Sequence, residues 1–196
     1  MGGTFNPIHI GHLVTAEEAL HQFELDRVIF MPTGNPAHKI GEEVLAAEQR
    51  YLMTVIATSS NPQFDVSRLE IDRKGPTFTV DTIIELIKMY GKEVDIYFIT
   101  GADAVWEILT WHEAQRLADL CFFIAATRPG YSLEKFTKLH VTGKNEKGKP
   151  QVLMMEIPAL AISSSDIRMR VKAERPIRYL VPESVLEFIE KHNFYL

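Results

Sequence analysis

Two histidines, His9 and His12, stand three residues apart around Gly11, and the string Gly2-Gly3-Thr4-Phe5-Asn6-Pro7-Ile8 runs directly into them. A glycine-containing turn lets backbone approach a ligand closely, and a helix start beyond it presents unpaired N–H groups and the positive end of the helix dipole. That geometry suits an anion. If Gly11-His12 opens a helix, both imidazoles project toward one point above its N-terminus, and Gly11 leaves room there for a phosphate. Imidazoles so placed, neutral or protonated, donate to phosphate oxygens and stabilise charge that accumulates at a phosphorus under attack. Two metal ligands are the alternative. No Cys, Asp or Glu in the same segment completes a three-ligand set, although ligands from elsewhere in the chain leave that alternative open.

A second group suited to phosphate lies about 150 residues further on, in Ile162-Ser163-Ser164-Ser165-Asp166-Ile167-Arg168. Serines at a helix start cap it and leave backbone N–H groups available. Arg168, one turn in, can project toward the same end and grip phosphate with two parallel hydrogen bonds. Taken alone, the segment is equally an ordinary capped helix.

The hydrophobic pattern supplies elements that could carry these groups. Residues 27–31, 95–100 and 120–125 are continuous apolar runs of strand length. Leu13, Ala16, Leu20 and Phe23 recur at spacings of three, four and three, which predicts a helix over 11–23 with Glu17, Glu18 and His21 facing away. Further helices are predicted over 43–58, 80–90, 104–109, 112–117, 164–173 and 182–192. Strands alternating with helices predict an α/β fold with a mainly parallel sheet. Met1-Gly2-Gly3-Thr4 reads as a loop that ought to follow a strand, yet none precedes it, so the first strand is expected to be missing from this chain. The polar stretch 142–150, with Lys144, Lys147 and Lys149, reads as an exposed hairpin tip or mobile loop.

Composition narrows the classes. Of 196 residues, 46% are hydrophobic and 24% charged, which is enough apolar material for a sizeable core and excludes a disordered chain or a coiled coil. The length fits one compact domain. A single Cys121 cannot close an intramolecular disulfide, so a reducing compartment, the cytoplasm, is expected. No apolar run is long enough for a membrane span, and no signal peptide is visible. The net charge of −5 speaks against non-specific nucleic-acid binding but allows a small anionic ligand at a local positive cluster.

His9-Ile10-Gly11-His12 resembles the HxGH signature of the nucleotidyltransferase superfamily, which includes small adenylyl- and cytidylyltransferases and class I aminoacyl-tRNA synthetases. The chain is too short for an anticodon-binding region and has no downstream Lys-Met-Ser-Lys-Ser loop, which leaves the small transferases. The segment 162–168 resembles the Ser-Ser-Thr-x-Ile-Arg signature of the bacterial nicotinate mononucleotide adenylyltransferases, with Ser165 in place of threonine and the hydroxyl kept. Asn35-Pro36-Ala37-His38-Lys39 resembles that family's Pro-Pro-His-Lys loop, with Ala37 for one proline. Gly75-Pro76-Thr77-Phe78-Thr79-Val80-Asp81-Thr82 resembles its Gly-Pro-Ser-Tyr-Thr-x-Asp-Thr stretch. Gly101-Ala102-Asp103 and Trp111 resemble its Gly-Ala-Asp and ring-stacking tryptophan. Each has a plainer reading: a solvent-facing loop lysine for Lys39, a capped helix start for 75–82, a capping carboxylate for Asp103 and a core filler for Trp111.

The resemblance implies a Rossmann-like, doubly wound α/β sheet in a single domain, 1–196, with the part from about residue 160 forming a helical phosphate-binding subregion. It implies transfer of the adenylyl group of ATP to nicotinate mononucleotide, giving nicotinate adenine dinucleotide and pyrophosphate. His9, His12, Lys39 and Arg168 would be the catalytic residues. Gly2, Gly3, Thr4, Phe5, His9, His12, Gly101, Asp103, Ser163, Ser164 and Arg168 would hold ATP, and Thr79, Asp103 and Trp111 the mononucleotide. Mg²⁺ would arrive with ATP, held by phosphates and water rather than by a metal site of the protein. Nicotinate over nicotinamide rests on resemblance alone. Other small adenylyltransferases, for phosphopantetheine or flavin mononucleotide, and a nucleotide-binding sensor without turnover are the alternatives, and assembly into a homo-oligomer stays open.

Overall fold

The computed structural model describes residues 1–35, 44–75, 77–101, 111–127, 152–158 and 161–196. Among these the elements run β1 (Gly2–Gly3), α1 (Ile10–Gln22), β2 (Val28–Pro32), α2 (Ala47–Thr58), β3 (Phe64–Val66), α3 (Thr79–Tyr90), β4 (Tyr97–Gly101), α4 (Ala114–Leu120), β5 (Phe122–Thr127), β6 (Val152–Glu156), α5 (Ser164–Lys172) and α6 (Glu183–His192). The chain divides into two compact units, Met1–Pro76 with Leu160–Leu196, and Thr77–Ala159. Each holds a three-stranded sheet in strand order β1-β2-β3 or β4-β5-β6, with all pairs parallel. The predicted parallel α/β architecture is what the structure has.

In the first unit, α1 buries Thr15, Ala16, Ala19 and Leu20 and leaves Glu17 and His21 exposed; of the predicted stripe, Ala16 and Leu20 are buried while Leu13 and Phe23 are half-buried, as is Glu18. β2 lies between β1 and β3, so Val28, Phe30 and Met31 are all buried, as a central parallel strand requires. Gly2–Gly3, expected to be loop, forms β1 itself, in register with Met31 and Pro32 of β2. Met1 extends that pairing, because its carbonyl accepts from the Met31 N–H. β3 escaped the sequence pattern because it is three residues long and interrupted by Asp65. Phe64 secures it, edge-on to Phe30 with ring centroids 5.2 Å apart.

In the second unit, β5 is the central strand, and Phe123, Ile124 and Ala125 are fully buried. Val80 and Ile83 of α3 and Leu117 and Ala118 of α4 pack with Phe123 and Ala125 into one core cluster. The apolar run 120–125 was expected to be strand throughout. Leu120 instead ends α4, and Cys121 caps it by donating its N–H to the Leu117 carbonyl, so the strand starts at Phe122. A run that is apolar because both its helical and its strand part face the core carries no boundary signal. β6 also went unpredicted. It runs parallel to β5. Residues 142–150 and the predicted helix over 104–109 lie outside the described residues.

Candidate functional site

His9 stands at the N-cap of α1 in extended backbone, φ −147° and ψ 170°, and His12 is the third helical residue. The His9 N–H donates to Nδ1 of His12 at 3.2 Å, while the His12 N–H donates to the His9 carbonyl at 2.9 Å. These bonds fix the tautomer. With Nδ1 of His12 accepting, the neutral ring carries its proton on Nε2 and has that group left to donate. The two rings stack with centroids 3.7 Å apart and planes at 27°, and Phe5 stands edge-on to His12 at 5.1 Å. Burial lowers His9 to about 4, and burial together with the neighbouring His9 holds His12 well below the ordinary imidazole value. Both are therefore neutral at pH 7, which selects between the two protonation states the spacing left open. Among the described residues, Nδ1 of His9 is buried and has no hydrogen-bond partner. Gly11 makes the stack fit, since a Cβ there would lie 3.1 Å from the His9 ring.

The segment between β1 and α1 turns its carbonyls into the protein. Thr4 O accepts from Arg50 Nη1 at 2.7 Å, Asn6 O from Arg168 Nη1 at 2.9 Å, and Pro7 O from Ser164 Oγ at 2.8 Å. Ser163 caps α5 by accepting the Asp166 N–H at 3.1 Å. The two segments singled out in the sequence, 2–12 and 162–168, thus meet through direct hydrogen bonds. Arg168 reaches the backbone three residues before His9.

Two side chains that the sequence reading passed over complete this region. Arg50 of α2 is 1% exposed and donates to four carbonyls: Leu45 at 2.9 Å, Thr4 at 2.7 Å, Thr33 at 2.7 Å and Gly34 at 3.1 Å. Burial pulls its guanidinium below the usual value, yet it stays charged at pH 7. A signal for it existed. Arg50, Met53, Thr54 and Ala57 follow i, i+3, i+4 and i+7, so the arginine occupies a core-facing position of its helix. Tyr195 donates its hydroxyl to Asn6 Oδ1 at 2.9 Å, and burial pushes its phenol up, so it remains a donor at pH 7. Asn6 Oδ1 also accepts the Leu45 N–H at 3.3 Å.

In the second unit, Thr79 is the first residue of α3, and Asp81 in its first turn complements the dipole. Trp111 is half-buried against the core and edge-on to Phe98 at 5.7 Å. Beside them the exposed Phe78 ring lies 4.4 Å from the His112 ring. Gly101 ends β4 and is exposed. Lys39 and Asp103 lie outside the described residues. A cleft of about 500 Å³ lined by Val171, Arg175, Ile177, Leu186, Ile189 and Phe194 includes none of the predicted site residues.

A neutral imidazole pair at a helix start, with a guanidinium bonded to the turn that leads into it, is an arrangement that can receive phosphate oxygens. The family model described as cytidylyltransferase-like matches residues 1–170 of the chain. A Moorella thermoacetica protein named "Probable nicotinate-nucleotide adenylyltransferase" is 54% identical over 195 residues, which covers 100% of this chain and 89% of that protein. A Streptomyces coelicolor protein of the same name is 51% identical over 197 residues, covering 100% and 98%. The chain also shares its fold with the Plasmodium falciparum nicotinic acid mononucleotide adenylyltransferase solved in complex with NaAD, at TM-score 0.79 and 20% identity over 99% of this chain and 94% of that one.

Proposed function

We propose a function from one premise: the chain belongs to the cytidylyltransferase-like family, and within it to the nicotinate-nucleotide adenylyltransferases. The protein transfers the adenylyl group of ATP to nicotinate mononucleotide, releasing pyrophosphate and forming nicotinate adenine dinucleotide, a step of NAD biosynthesis. The observation that supports this chemistry most directly is the stacked, neutral His9–His12 pair at the start of α1, with Arg168 bonded to the same turn.

The 5′-phosphate of the mononucleotide attacks the α-phosphorus of ATP in line, an oxygen–phosphorus bond forms, and pyrophosphate leaves with the electron pair of the broken bond. The attacking phosphate is anionic at pH 7 and needs no general base, so catalysis consists of alignment and charge stabilisation. Nε2–H of His12 donates to a phosphate oxygen as charge develops, and the stacked pair, being uncharged, supplies hydrogen bonds rather than ionic attraction. Positive charge comes from Arg168 and Lys39. Gly2, Gly3, Thr4 and Phe5 line the triphosphate with backbone, Ser163 and Ser164 form the phosphate-binding start of α5, and Gly101 and Asp103 serve the ribose. Thr79 and Trp111 take the nicotinate side. Mg²⁺ enters as part of the MgATP substrate and offsets charge on the triphosphate. On this reading residues 1–196 act as one nucleotidyltransferase domain with a helical phosphate-binding subregion from about residue 160, working in the cytoplasm.

Pyrophosphate release tests this directly, with ATP, Mg²⁺ and a panel of nicotinate mononucleotide, nicotinamide mononucleotide, phosphopantetheine and flavin mononucleotide. Turnover fastest with the nicotinate acceptor is expected. A clear preference for any other member of the panel overturns the acceptor, and no release with any of them overturns the activity.

A further inference from the structure

We infer that Arg50 and Tyr195 are positioning residues that hold the 4–9 turn in its anion-accepting shape, an inference that rests on the function proposed above. Carbonyl oxygens facing a triphosphate would repel it, so a turn that receives phosphate has to point its carbonyls elsewhere. Here those of Thr4, Asn6 and Pro7 each accept from a side chain far away in sequence, Arg50, Arg168 and Ser164. Arg168 and Ser164 already belong to the proposed binding machinery. Among the described residues the hydrogen bonds of Arg50 go to backbone: one fork arm holds Thr4, the other holds Thr33 and Gly34, and its Nε holds Leu45. It ties the turn to the end of β2 and to the start of α2 at once. Tyr195 acts on the next residue but one, because its hydroxyl fixes the Asn6 side chain, which in turn accepts the Leu45 N–H. Five consecutive residues, Phe5 to His9, are buried, so the turn cannot rearrange without moving its packing. A displacement at Thr4 or Asn6 would therefore be carried into the His9–His12 stack, and small misplacements of aligning groups cost rate steeply.

The test uses the full chain and two variants, Arg50→Lys, which keeps the charge but not the fork, and Tyr195→Phe, which removes one hydroxyl. Val185→Ala, a core truncation in α6, serves as the control for simple loss of stability. Each is measured for Tm, for kcat and KM with both substrates, and for the imidazole nitrogen resonances of His9 and His12 without ligand. Positioning predicts at least a tenfold fall in kcat for Arg50→Lys and a fall of about threefold to tenfold for Tyr195→Phe. KM should change less than kcat, and the His9 and His12 resonances should move. Val185→Ala should lower Tm and leave kcat and those resonances in place. If both variants keep kcat within twofold while wild type turns over, the positioning role is wrong and the functional reading stands. If wild type releases no pyrophosphate, the functional reading fails, and unmoved His9 and His12 resonances in both variants overturn the positioning role by themselves.

Discussion

The depressed His9 imidazole makes a quantitative claim about acid stability. Its midpoint is about 4 in the folded chain against about 6.5 when unfolded. Between those values the unfolded chain binds a proton that the folded chain refuses, so stability is full above 6.5 and falls as the pH drops toward 4. Integrating that difference from pH 7 to pH 5 gives a loss of about 2 kcal/mol from His9 alone, a factor of roughly 20 in the folding equilibrium. His12 is displaced in the same direction by burial and by His9, which adds to the loss. His9→Asn removes the titrating group while keeping a polar side chain at the N-cap. Urea unfolding followed by circular dichroism at pH 7 and pH 5 then compares two slopes. Carboxylates titrate alike in both proteins and cancel, so wild type should lose about 2 kcal/mol more than His9→Asn across this interval. Parallel losses in the two proteins would refute the claim that a buried, proton-refusing imidazole sits at the start of α1.

Other perturbations reach the same region from different sides. His12→Ala should lower the adenylyl-transfer rate by about 10²–10³-fold, since it removes a preorganised donor, while circular dichroism stays native. Gly11→Ala would place a Cβ 3.1 Å from the His9 ring, so kcat should fall by roughly tenfold as the stack is pushed aside, and an unchanged kcat would show that the stack is not needed. Gly34→Ala meets backbone instead: its Cβ would lie 2.2 Å from the Glu70 carbonyl oxygen, so destabilisation of about 3 kcal/mol or more is expected by denaturant titration, and a normal unfolding midpoint would contradict the close approach.

Much of this architecture is visible in the sequence where one face of an element is buried. α1, α3 and α6 fall within a residue or two of their predicted spans because their apolar positions repeat at helical spacing, and α5 does so because Ser163 caps it. The strands that escaped notice are short or polar-flanked, as with Phe64–Val66, whose burial depends on Phe30 across the ladder rather than on its own pattern. At the site, His9, His12, Ser163, Ser164 and Arg168 announce themselves through motif spacing. Arg50 and Tyr195 do not, because their partners are a set of backbone carbonyls and an asparagine up to 189 residues away. Hydrogen bonds to backbone leave no residue-type signature at the receiving end. The neutral state of the imidazoles was likewise out of reach, since it follows from how deeply they are enclosed and from how they stack.

The bonds that shape the 4–9 turn also set an order of assembly during synthesis. Ser164, Arg168 and Tyr195 lie 157, 162 and 189 residues from their partners, so the ribosome must deliver nearly the whole chain before the turn can be locked. Residues Thr77–Ala159 form a unit that is contiguous in sequence. That contiguous middle can condense while translation continues, whereas the 4–9 turn gains its bonds from Ser164, Arg168 and Tyr195 only once the carboxyl-terminal helices emerge.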